Sequence, residues 1–187
     1  MLLALAVWGL QWGASEAQVQ KLFPLALDKA AYQTVDRKQC MPVALHPDIK
    51  RRVLVAVPKT AVTLGQVSLS FYKDQLFEIQ IQGPNEPQLQ TARRTYDGLA
   101  ASVRLGYRID RVQAENFQVA PLLLFSRPEV LGALSLSYQV PQGRRDYFWQ
   151  LDYRSRQFDP YLNQAMSDRL HPATSYAGLK AEAALFP

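Results

Sequence analysis

The chain has 187 residues, 48% of them hydrophobic and 20% charged, with a formal net charge of +5 at pH 7. That is one ordinary globular domain, large enough to bury a core without metal or disulfide staples. The charge arises from 14 Arg and 7 Lys against 16 acids, with no lysine between Lys73 and Lys180. Arginine spread so broadly reflects composition more than selection for phosphate contacts, so nucleic acid is not an expected partner.

The opening MLLALAVWGLQWGASEA carries a short apolar run from Leu2 to Leu10, with Ser15 and Ala17 at the two positions a signal peptidase reads. Residues 1–17 are therefore a candidate signal peptide, and cleavage after Ala17 would leave a periplasmic or secreted chain beginning at Gln18. At ~1.5 Å per residue the run covers only about half of a ~30 Å hydrocarbon core, so no stable membrane span is expected. The segment lacks a basic start, since no Lys or Arg precedes Lys21. The alternative is an N-terminal core helix in a cytoplasmic protein.

Residues 18–50 read as an irregular N-terminal region, interrupted by Pro24, Pro42 and Pro47, with a possible short helix over 25–32. A core domain follows over 51–172. It opens with the β-rich run 53–57. Residues 66–72 alternate Val67, Leu69 and Phe71 against small polar residues, and 75–82 alternate Phe77, Ile79 and Ile81 against Glu78 and Gln80. Period-2 alternation predicts two half-buried strands, and the Lys73-Asp74 pair between them predicts a tight hairpin. Apolar residues at Leu89, Ala92, Tyr96, Leu99, Ala100 and Val103 then fall on one face of a long helix over 86–105, with Asn85 as the expected N-cap.

Beyond Gly106, Tyr107, Ile109 and Val112 suggest a short strand, and three strand-like runs follow at 117–125, 131–140 and 144–156. Pro121 marks the first of these as an edge strand or the site of a bulge. Asp159 and Pro160 read as the start of a further helix to about Leu170, and 173–187 as a loosely attached tail. The expectation is an α+β fold: an antiparallel sheet with one long helix packed on one face, order ββαβββα after the irregular region.

The run RRDYFWQLDYRSR at 144–156 combines arginines with aromatics. Strand parity sends Tyr147, Trp149, Leu151 and Tyr153 to one face, matched by Leu134, Leu136, Tyr138 and Val140 of the preceding strand, so the aromatic row reads as core. Emptying Trp149 to alanine would then cost about 3–5 kcal/mol. Arg144 and Arg145 lie at one end of the strand and Arg154 and Arg156 at the other, about 30 Å away at ~3.3 Å per residue. They are candidate binding residues for a flat or extended anionic partner, such as an envelope polymer or a membrane surface, and too dispersed for a compact phosphate.

Catalytic signatures are sparse. The sequence contains no nucleophile elbow, zinc-binding spacing or phosphate loop, and no metal or cofactor is expected. Cys40, His46 and Asp48 form a weak thiol-hydrolase candidate, because an imidazole oriented by a carboxylate can activate a thiolate. Cys40 is the single cysteine, so any disulfide would have to be intermolecular. Glu78, Asp146 and Asp152 are candidates for an acid and base pair, although Asp146 and Asp152 stand roughly 20 Å apart along one strand. The functional expectation is an exported module that acts by binding a protein or an anionic envelope polymer, with hydrolysis as the alternative.

Overall fold

Alternating apolar and polar residues build a single eight-stranded antiparallel sheet in the computed structural model, which describes residues 8–28, 49–57, 59–60, 62–113 and 121–158. The strands are β1 (Leu25–Leu27), β2 (Ile49–Leu54), β3 (Gln66–Tyr72), β4 (Gln75–Gln82), β5 (Arg108–Gln113), β6 (Leu122–Arg127), β7 (Val130–Gln139) and β8 (Asp146–Ser155). Their spatial order is β1-β2-β3-β4-β8-β7-β6-β5. Two four-stranded meanders thus lie side by side, joined in the middle where β8 pairs with β4.

The connection between the meanders is the helix α2 (Leu89–Gly106). Its 18 residues span about 27 Å, enough to cross the four strand spacings of about 19 Å from β4 to the edge strand β5. Its buried stripe, Ala92, Tyr96, Leu99, Ala100 and Val103, is the apolar row read from the sequence. The N-cap is Gln88, with no side-chain hydrogen bond, in place of the expected Asn85. The isolated bridge that Glu86 makes to Tyr147 keeps the chain extended past Asn85 and delays the first helical turn.

The register sorts the two faces of the sheet. On the α2 side, Leu69, Ile79, Tyr153, Gly132, Phe125 and Ile109 form one row across six strands, and Val67, Ile81, Leu151, Leu134 and Leu123 form the next. Gly132 is required in the first row, since a β-carbon there would lie 2.1 Å from the Phe125 ring. Phe125 stacks edge-on against Tyr107 and Tyr153, with centroids 4.9 and 5.8 Å away. The opposite face is polar over its central strands, where Ser70, Glu78 and Arg154 lie in one row and Ser68, Gln80 and Asp152 in the next.

Most sequence-read strands appear within a few residues of their expected limits. The hairpin at Lys73 and Asp74 is a two-residue turn with φ of 45° and 65°, the left-handed pair that matches the twist of the flanking strands. Pro121 stands just before β6, which is an interior strand, and β5 takes the edge beside it. The expected order ββαβββα is extended by β1, β2, β5 and a short helix; the helix expected from Asp159 lies outside the described residues.

The N-terminal part departs furthest from the reading. Residues 25–27 are not helical but form β1, because their backbone finds a partner in β2. The short helix is α1 (Glu16–Leu22), capped reciprocally by Ser15 and Gln18. Val19 and Leu10 are buried in the main core, with Trp8, Trp12 and Ala14 packed against it. Gly13 donates to the Leu76 carbonyl and Leu76 to that of Ala14, both at 2.9 Å. Glu16 adds an ion pair to Arg52 at 2.7 Å. The bond following Ala17, where cleavage is expected, therefore falls in the first turn of a helix docked on the sheet.

Candidate functional site

A concavity of about 600 Å³ lies between α2, the loop from β2 to β3 and the start of the crossover. Trp149, Leu99 and Val62 supply its apolar surface, and Thr60, Thr63, Thr91, Thr95 and Ser102 its hydroxyl groups. Trp149 is 2% exposed and seated by Gly83, whose missing β-carbon would stand 2.3 Å from the indole Nε1. Thr91, Thr95, Gly98 and Ser102 recur at helical spacing along the α2 flank beside the buried stripe. At Gly98 nothing lies within 4 Å of where a β-carbon would be, so the wall is open there.

Hydrogen bonding fixes the polarity of this wall. Thr60 donates its hydroxyl proton to the Val62 carbonyl, Thr95 to that of Thr91 at 3.4 Å and Ser102 to that of Gly98 at 3.0 Å. Among the described residues Glu86 is the single ionisable one in the lining, held in place by reciprocal 2.8 Å backbone hydrogen bonds with Tyr147. A volume of this size with an apolar floor and a few oriented polar groups is the usual form of a small-molecule site. Neither the hydroxyl row nor Glu86 stood out in the sequence, because threonines on a helix flank look like ordinary solvated surface.

The polar sheet face holds a second constellation. Pairing of β4 with β8 sets Gln80 opposite Asp152 and Glu78 opposite Arg154, so Glu78 and Asp152 are diagonal neighbours, about 7 Å apart at their β-carbons. Asp152 accepts from Gln80 at 2.9 Å and from Gln150 at 3.0 Å, while Ser70 donates to Glu78 at 2.8 Å. Arg51 donates to Gln80, and its Nε stands 3.0 Å from Asp28 Oδ2 in an ion pair without hydrogen-bond alignment. Burial pushes the Glu78 carboxyl above its ordinary value, opposed by the Ser70 hydrogen bond and the Arg51 charge. Burial likewise raises Asp152, against its two amide donors. A shallow hollow of about 340 Å³ adjoins the pair, bounded also by Asp110, Leu124, Leu131 and Arg154.

Of the carboxylates singled out in the sequence, the fold brings together Glu78 and Asp152. Asp146, at the far end of β8, faces Gln139 and pairs with Arg144 at 3.5 Å. The four arginines remain at opposite ends of β8. Arg145 lies over the Tyr138 ring at 5.1 Å, Arg154 sits on the polar face opposite Glu78, and the Arg156 amide donates to the Glu129 carbonyl. Trp149, Leu151 and Tyr153 are buried on the α2 face and build the core, whereas Tyr147 is half-buried and the matching Tyr138 and Val140, expected in the core, are exposed at the Arg145 end of the strand.

Cys40, His46 and Asp48 lie outside the described residues. Among the described residues no group of three His, Cys, Asp or Glu is arranged to hold a metal ion, and no helix is long and apolar enough to cross a membrane. No protein family, curated protein or solved structure matches this chain.

Proposed function

We propose that this protein acts by binding a small ligand in the cleft between α2 and the sheet. The observation that carries this reading is a hollow of about 600 Å³ whose floor is apolar and three of whose wall hydroxyls, Thr60, Thr95 and Ser102, are already oriented by backbone carbonyls. Groups fixed before the ligand arrives lose little freedom on binding, which is the condition for useful affinity in a small site. The test is a ligand screen read by thermal shift, with Gly98→Leu as control. A β-carbon there meets nothing within 4 Å, so a larger side chain at this lining position is expected to occupy cleft space. Hits that stabilise the parent and not this variant support the reading; hits indifferent to it place binding elsewhere.

A second reading rests on Glu78 and Asp152, as acid and base in hydrolysis. Two carboxyls pushed upward side by side are the raw material of general acid catalysis. Turnover of a glycan panel lost in both Glu78→Gln and Asp152→Asn, with folding intact, would favour it over simple binding. Engagement of an anionic polymer by Arg144, Arg145, Arg154 and Arg156 would show as affinity that falls with added salt and with their replacement by glutamine.

Export is part of the proposal, and the fold gives it a definite cost. Cleavage after Ala17 would remove Leu10 from the core, Ser15 from the cap of α1 and Glu16 from Arg52. N-terminal sequencing of the protein from its host decides the matter. A chain starting at Gln18 outside the cytoplasm supports cleavage there; a folded cytosolic chain retaining Trp8 to Ala17 retires it.

A further inference from the structure

We infer that the occupant of the α2 cleft is a cationic alkyl amine, with an ammonium group at Glu86 and its hydrocarbon chain along Val62, Leu99 and Trp149; this rests on the cleft being the binding site. A hydroxyl has one proton to donate and two lone pairs to accept with. In Thr60, Thr95 and Ser102 that proton is committed to a carbonyl of the protein itself, so the side chains meet the cleft as acceptors. Glu86 is acceptor-only when ionised, and among the described residues no Lys, Arg or His joins it in the lining. Thr63 and Thr91 can donate or accept, so the bias of the wall comes from the three committed hydroxyls and from Glu86, the one formal charge among the described lining residues. Its complement is a molecule rich in N–H donors and positively charged.

Two features could oppose this. The α2 N-terminus lies near the same wall and carries about half an elementary positive charge, which favours an anion. Glu86 supplies a full negative charge just ahead of that terminus, with no ion pair to it among the described residues, so it outweighs the dipole. The hydroxyl carbonyl bonds could also switch, but Thr95 and Ser102 each bond within their own helix turn, where the partner is always in place. An anionic ligand would have to break those bonds and lie beside Glu86. A donor-rich amine finds Thr60, Thr95, Ser102 and Glu86 available as acceptors, and amine hydrogen bonds to a carboxylate are the stronger, charge-assisted kind.

The experiment uses three probes of matched length on the full chain: 1,8-diaminooctane, octane-1,8-diol and the dicarboxylate suberate, measured by isothermal titration calorimetry at neutral pH. The diamine is expected to bind at least tenfold tighter than the diol, and suberate not at all. Glu86→Gln should abolish the tenfold advantage while leaving the diol unchanged, and Gly98→Leu should abolish binding of both. Diol binding equal to or tighter than diamine, with Gly98→Leu still blocking, would overturn the amine inference and leave the cleft standing. Diamine binding that survives Gly98→Leu, or no binding by any probe, would overturn it together with the cleft.

Discussion

Gly83→Ala concentrates the packing argument at one atom. A β-carbon at this position would stand 2.3, 2.5 and 2.7 Å from Nε1, Cε2 and Cδ1 of Trp149, whereas ordinary contact begins at 3.4 Å. The ring must retreat by roughly 1 Å, yet it is 2% exposed and its own carbonyl accepts the Gly83 amide at 2.8 Å. Either the indole leaves its rotamer or β4 and β8 separate where the two meanders join. Overpacking of a filled core costs about 1–3 kcal/mol, and a rigid ring that is 2% exposed belongs to the upper half of that range. For a domain of this size each kcal/mol lowers Tm by about 2–4 °C, so Gly83→Ala should melt about 4–12 °C below the parent. Thermal unfolding followed by circular dichroism measures this, and the near-ultraviolet spectrum should lose tryptophan fine structure. An unchanged Tm with an unchanged spectrum would refute the seating of Trp149 against Gly83, and with it the floor of the cleft.

Other outcomes follow from the same contacts. Gly98→Ala meets nothing within 4 Å on an exposed helix position, so it should stabilise the chain by about 0.5–1 kcal/mol, measured by urea unfolding. Burial raises Glu78 and Asp152 above their ordinary carboxyl values, so the folded chain retains protons that the unfolded chain releases. Their contribution is then full below about pH 4 and declines as pH rises through the raised values; urea titrations of Glu78→Gln across that range should show a flatter dependence than the parent. A chain beginning at Gln18 loses buried Leu10 and the Ser15 cap, together on the order of 3 kcal/mol or more, and a melting curve matching the full chain would contradict the docking of that segment.

The sheet was legible where one face is apolar and the other polar. Phe71, Ile79, Leu136 and Trp149 alternate with polar neighbours, and the period-2 signal follows directly from that asymmetry. The 53–57 run was less readable: β2 ends at Leu54, and its earlier residues, Lys50 to Arg52, hide their strand character behind charge, because Arg51 serves Gln80 on the polar face and Arg52 serves Glu16. β1 is three residues long and is fixed only by its partner, so no local pattern could announce it. The Glu78 and Asp152 pair was half legible. Each carboxylate was visible on its strand, but that β8 lies against β4, and not only against β7, depends on strand order, which parity does not carry. Glu86 and the α2 hydroxyls become a site only when the crossover lays the helix across β7 and β8.

Amide and indole shift mapping by two-dimensional NMR, with 1,8-diaminooctane titrated into the full chain, bears most directly on the cleft. The largest shifts should cluster at Glu86, Thr91, Thr95, Gly98 and the Trp149 indole, and should vanish in Gly98→Leu. Shifts centred instead on Arg144 and Arg145, on Glu78 and Asp152, or absent throughout, would contradict it.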